Sequence, residues 1–141
     1  MDCLFCGIVD GTVPAHVVLD EPYVLGFLDT RPLFKGHVLL VPRIHVDTLP
    51  DLPAELVPVL MGAVQRVASG VVRAVGSQGS FVAVNNVVSQ SVPHLHVHVV
   101  PRTKGDGLRG FFWPRTKYAS QEEAQEYAAR LAAALDPPPA P

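Results

Sequence analysis

The sequence predicts an α+β fold: a five-stranded, mainly antiparallel meander sheet with one long helix and a C-terminal helix. Two observations point to it. Five short apolar runs are bounded by turn residues, and two longer stretches repeat apolar residues at helical spacing. The first run, HVVLD, ends at Asp20 and meets a Glu21-Pro22 turn. YVLGFLD then runs to Asp29, and HVLLVP follows the turn residues 31–36. From about residue 52 to 75, Leu56, Leu60, Val64, Val67 and Val71 mark one helix face; Pro53 is an entry signal, and Pro58 delays or kinks the helix. SFVAVNN and HLHVHVVP read as two more strands, joined by a short loop with serine and proline but no glycine. Residues 103–118 are basic and aromatic without periodicity, and residues 121–135 read as the second helix. Residues 1–136 are expected to form a single domain, with 137–141 a flexible proline-rich tail.

A chain of 141 residues can bury one sizeable core, and a domain this small often leans on a metal or a partner subunit. Eleven Lys and Arg stand against thirteen Asp and Glu, a balance that gives no footing for non-specific nucleic-acid binding. No apolar run approaches the ~20 residues of a membrane helix, and MDCLFCGIVDG lacks the basic start and apolar core of a signal peptide. The expected location is the cytoplasm, without nucleic-acid or membrane partners. Thiols stay reduced there, so Cys3 and Cys6 are expected to bind metal or do redox work rather than form a structural disulfide. Two plain buried thiols are the ordinary alternative.

His94, His96 and His98 are half of the six histidines in the chain. On a strand they share a face, and at ~3.3 Å per residue the ends of the row stand ~13 Å apart. That span is too long for one ion with Zn–N bonds of ~2 Å, so the three need separate tasks. A neutral imidazole whose Nδ1–H is held by a backbone carbonyl presents Nε2 as a nucleophile without losing a proton. His96, in the middle, suits that task. A row of donors on a rigid strand also matches a phosphate chain, because phosphoryl chemistry is mostly positioning and electrostatics. The plain alternative is a polar stripe satisfied by carbonyls, which fits one histidine better than three in register.

The run His94-Leu-His96-Val-His98-Val-Val, preceded by Gln90-Ser91-Val92-Pro93, resembles the signature of the histidine triad (HIT) family. CLFCGIVDG, FLDTRPLFKGHVLLVPRIH and the VNN ending the penultimate strand match the family in the same order, so the resemblance covers about residues 2–102. It implies a HIT-like fold, a homodimer and a nucleotide hydrolase that cleaves at the α-phosphate. By this likeness His96 attacks phosphorus to form a nucleotidyl-histidine, His98 contacts the α-phosphate, and Ser91 is a donor near the leaving group. Water then releases the nucleoside monophosphate. Asp29 matches the carboxylate that accepts the ribose hydroxyls, Thr30 follows it, and Gln90 lies in the phosphate-facing loop. Phe5, Ile8, Phe27 and Leu39 match positions lining the base pocket, although each taken singly is an ordinary core residue.

The implied substrates are AMP or GMP derivatives, purine nucleoside phosphoramidates foremost. Dinucleoside polyphosphate hydrolysis or phosphorolysis uses the same triad, and a nucleotide-binding scaffold or sensor without relevant turnover is the alternative of another class. Retention of His98, where the transferase branch has glutamine, favours hydrolysis. In the branch that begins with CxxC, the resemblance implies a structural zinc on Cys3, Cys6, His45 and His94. His37 is a candidate partner for the triad; His16 has no assigned role. Two features depart from the family. Val87-Val88-Ser89 stand where relatives often carry glycine, which leaves open whether Asn85 or Asn86 faces the nucleotide, with alternation favouring Asn85. GLRGFFWPRTKY has no general counterpart, and a solvated loop with one aromatic anchor is its plain reading.

Overall fold

The computed structural model describes residues 2–108 and 115–140. Residues 109–114, the middle of GLRGFFWPRTKY, lie outside the described residues, and the solvated-loop expectation lies there with them. The chain falls into two compact units, Met1–Asp106 and Gly107–Pro141.

The first unit contains one antiparallel sheet of β1 (Val17–Asp20), β2 (Val24–Leu28), β3 (Val38–Pro42), β4 (Gly79–Ala83) and β5 (Val97–Arg102), ordered β1-β2-β3-β5-β4. The meander runs through the first three strands as expected. The long helix then carries the chain across, so β4 takes the edge and β5 inserts between β3 and β4. His98 therefore sits in mid-sheet, opposite Leu39 on one side and Ala83 on the other.

The long helix, labelled α2 (Val57–Val75) with β1–β5 in chain order, starts later than its spacing suggests. Two 3₁₀ turns, Leu49–Asp51 and Ala54–Leu56, precede it, and Pro58 falls in its first turn, where a missing N–H breaks no helical bond. Its buried face, Leu60, Ala63, Val64, Val67 and Val71, packs on Val24, Val38, Leu40, Val97 and Val99. The stretch Ala54–Val75 is, by length and composition, long and apolar enough to cross a membrane, although Glu55, Arg66 and Arg73 interrupt it. Its buried stripe is accounted for by the sheet it covers.

The opposite face of the sheet carries Leu25, Phe27, Leu39 and Val41, and a helix without a sequence signal covers it: α1 (Leu4–Asp10). Seven residues are too few to show a period, and they include Gly7. Cys3 caps α1, its Sγ accepting the Cys6 N–H at 3.3 Å, and Gly11 ends it at φ 86°. Phe5 of α1 lies edge-on to Phe27, ring centres 5.3 Å apart. Burial of such a ring contributes roughly 1.5–3 kcal/mol.

In the loop after β4, Val87 and Ser89 hold φ angles of 70° and 61°. Both lie in the left-handed region, where L residues cost about 1–2 kcal/mol each. Val87 is 76% exposed, so little packing opposes its replacement. Val87→Asn is expected to raise stability by about 1 kcal/mol, a rise of a few degrees in the thermal midpoint. A midpoint that stays level or falls in thermal unfolding would place no strain at this residue.

The second unit contains α3 (Gln121–Ala134), which matches the second expected helix to one residue. Ser120 Oγ accepts the Glu123 N–H at 3.1 Å and starts it.

Candidate active site and metal centre

β5 begins only at Val97, so His94 and His96 precede the strand that sequence pattern assigned to them. The alternation holds nevertheless. Leu95 donates its N–H to the Val46 carbonyl at 2.8 Å, and Leu95, Val97 and Val99 enter the α2 core. The histidines between them face the α1 side: the Phe5 ring lies 6.1 Å from His94 and 5.0 Å from His96, and the His96 and His98 rings are 5.0 Å apart.

His96 donates from Nδ1 to the His94 carbonyl at 2.8 Å, which leaves the lone pair on Nε2. The buried ring is held in place by Phe5. The polarity at His98 follows from a backbone donor. The Leu33 N–H donates to His37 Nδ1 at 3.1 Å, so the His37 proton sits on Nε2, 3.0 Å from His98 Nδ1. His98 then carries its own proton on Nε2. His96 offers a lone pair and His98 an N–H, side by side. Asp29 stands near: Oδ1 accepts the Arg31 N–H at 2.9 Å, and Oδ2 lies 3.8 Å from His37 Nε2.

Burial, followed by the neighbouring His96 and His37, pushes the His98 pKa down to about 4, and burial also lowers that of His37. Both rings are neutral in the fold at pH 7. Unfolded, each takes a proton below about pH 6.5, so the stability they confer is complete above that pH and falls below it, the His98 share being lost as pH drops through about 4. The thermal midpoint should decline across this window, and His98→Gln should flatten the decline. An identical profile in the variant would remove His98 as its source.

A cavity of ≈ 480 Å³ opens beside these rings, lined by Phe5, Ile8, Phe27, Leu39, Asp29, Thr30, Ser91, His96 and His98. The resemblance had singled out each of these. Val13, Pro14, Ala15, Arg31 and Val92 line it as well, and the sequence reading gave none of them a role in the site. Gln90 and Asn85 are not among the lining residues. The Gln90 amide bridges the Val87 N–H, at 2.9 Å, and the Asp47 carbonyl, at 2.6 Å. Asn85 is exposed, and Asn86 Oδ1 accepts the Leu49 N–H at 2.9 Å.

At the other end of the row, Cys3, Cys6, His45 and His94 bring one donor atom each within 4.8 Å of the others. Cys3 Sγ is 3.5 Å from His94 Nδ1, and Cys6 Sγ is 3.6 Å from His94 Nδ1 and 3.2 Å from His45 Nδ1. With Zn–S of ~2.3 Å and Zn–N of ~2.0–2.1 Å, the S···N edge of a tetrahedral site is about 3.6 Å, close to these separations. Both rings are turned to suit. His94 donates from Nε2 to the Pro42 carbonyl and His45 from Nε2 to Asp47 Oδ1, each at 2.9 Å, so both Nδ1 lone pairs face the sulfurs. Asp47 was not singled out; its only signal is its place two residues after His45. Asp29, His37 and His98 converge equally closely, but with the opposite polarity. There the proton on His37 Nε2 occupies the direction a cation needs. The four-residue group can hold a metal; the three-residue group is a hydrogen-bonded chain.

Fold and pocket together define an α+β protein that places a lone pair of His96 and an N–H of His98 side by side at a cavity. The chain belongs to the HIT domain family, whose model matches residues 10–105. The structure of a HIT family member from Bacillus subtilis is similar at TM-score 0.88 and 30% identity, covering 97% of this chain and 99% of that one. A Zn-bound histidine triad family protein from Mycobacterium smegmatis is similar at TM-score 0.73 and 34% identity, covering 96% and 99%. Adenosine 5'-monophosphoramidase hnt1 of Schizosaccharomyces pombe is 31% identical over 124 residues, 86% of this chain and 90% of that protein.

Proposed function

We propose that this protein hydrolyses purine nucleoside phosphoramidates, the AMP or GMP derivatives, at the α-phosphate through a nucleotidyl-histidine intermediate. The observation that carries the reading is the His96 ring, its Nδ1–H held by a carbonyl and its Nε2 lone pair free at the pocket beside an N–H of His98. The base lies among Phe5, Ile8, Phe27 and Leu39. Asp29 accepts the ribose hydroxyls with the oxygen that Arg31 leaves free, and Thr30 stands next to it. His96 Nε2 attacks phosphorus, the P–N bond breaks, and the nitrogen leaves as the amine with a proton drawn from solvent by way of Ser91, the donor on the leaving-group side. His98 remains neutral and donates to the phosphoryl oxygens, where charge builds in the transition state. Water then cleaves the phosphorus–histidine bond, releases the nucleoside monophosphate and restores the ring. Gln90 acts through the loop it holds rather than by contact, and Asn85 is given no contact in this reading.

Zinc on Cys3, Cys6, His45 and His94 is part of the proposal, supported by the donor geometry. When bound, it ties α1 to the end of β3 and to the triad; four protein ligands leave no position for activating water. A homodimer is supported by β4, whose outer edge pairs with no described strand and whose Val82 is 42% exposed. Dinucleoside polyphosphates are the second reading, favoured by the guanidinium of Arg31, which lines the pocket without a side-chain partner among the described residues. Rate constants measured side by side on adenosine phosphoramidate and on a dinucleoside polyphosphate series decide between them. A kcat/KM at least about tenfold higher on the phosphoramidate supports the first reading, and the reverse order supports the second. Binding of AMP with no turnover of either would leave a scaffold or sensor.

A further inference from the structure

The segment 45–49 makes contacts in two directions. Toward the metal centre, Asp47 Oδ1 accepts the His45 Nε2–H. Toward the loop that carries Ser91 and the triad, three bonds follow in order. The Val46 carbonyl accepts the Leu95 N–H at 2.8 Å, the Asp47 carbonyl accepts from Gln90 Nε2 at 2.6 Å, and the Leu49 N–H donates to Asn86 Oδ1 at 2.9 Å. Gln90 passes its bond on, since its Oε1 accepts the N–H of Val87, one of the two residues in left-handed backbone. A strained loop persists only when its surroundings hold it, and these bonds are what holds it.

The two metal-facing histidines differ in restraint. His94 is fully buried and fixed by the Pro42 carbonyl, whereas His45 is exposed and depends on a carboxylate from its own segment. An exposed ring without that carboxylate turns freely, and a metal must then pay the entropy of orienting it. We infer that Asp47 is a positioning residue joining the metal centre to the catalytic loop, its carboxylate aiming His45 at the metal while its carbonyl holds Gln90 over the strained turn. The inference rests on the zinc reading above. Linkage makes the effect reciprocal: what the metal gains from an ordered segment, the loop gains from a bound metal.

Competition with a chromophoric zinc chelator, with amide hydrogen exchange at Leu95 followed in parallel, tests this. Asp47→Ala should bind zinc about tenfold more weakly than wild type, and Asp47→Asn, which keeps an acceptor oxygen, should fall between them. Removing zinc from wild-type protein should speed exchange at Leu95, and in Asp47→Ala removal should change it much less. Zinc affinity in Asp47→Ala within twofold of wild type overturns the inference, as does a Leu95 amide indifferent to zinc in the wild type. If Asp47→Ala does not fold, an Asp47→Asn affinity equal to wild type, with Leu95 exchange indifferent to zinc, overturns it too. Wild-type protein without zinc affinity would instead refute the zinc reading, and this inference with it.

Discussion

His96→Ala should fold, bind AMP close to wild-type strength and turn over adenosine phosphoramidate at least about 10⁴-fold more slowly. The loss is large because no neighbour can substitute. The His98 lone pair is used on His37, its free nitrogen is protonated, and the His94 ring faces the sulfurs. Binding persists because the apolar end of the pocket and Asp29 are untouched. Acid quenching of wild-type protein during turnover should trap labelled nucleotide on the chain, and the variant should trap none. Undiminished turnover by His96→Ala would end the covalent mechanism and move the attacking group elsewhere in the pocket.

Cys6→Ser should lose zinc and thermal stability together, by about 3 kcal/mol or more, a fall of about 10 °C or more in the midpoint. Cys6 Sγ is the donor nearest His45, so its loss opens the exposed side of the site first. Catalysis per folded molecule should suffer far less than in His96→Ala, because a closed four-ligand site activates no water. Elemental analysis of wild-type protein purified without added metal should find about one zinc per chain. Wild-type protein devoid of zinc, or a zinc-free variant as stable as wild type, would reduce both cysteines to packing residues.

The sheet and both longer helices were readable because their patterns span enough residues to show a period, and the row His94, His96, His98 was readable because alternation survives even where the strand itself does not. What escaped shares a different physics. α1 is too short for periodicity, and its role is tertiary: it brings Phe5 against His96. The insertion of β5 between β3 and β4 is a choice of pairing partner, which local pattern does not record. Pro14, Ala15 and Val92 reach the pocket through the path of loops, and the bridge made by Asp47 involves a backbone carbonyl that every residue possesses. The direction of the hydrogen bonds was equally hidden, since it depends on which backbone N–H meets which ring nitrogen.

His94 takes part in two sites through two chemically different parts of itself: its ring turns to the sulfurs, and its carbonyl accepts the proton of His96. Only the ring is heritable at that position, because any amino acid brings the same carbonyl. A lineage can therefore surrender the cysteines and the first histidine of the row while His96 keeps its tautomer. Divergence of the proposed metal half from the proposed catalytic half is open to evolution, at a cost in stability and in the order of the loop that the 45–49 segment holds.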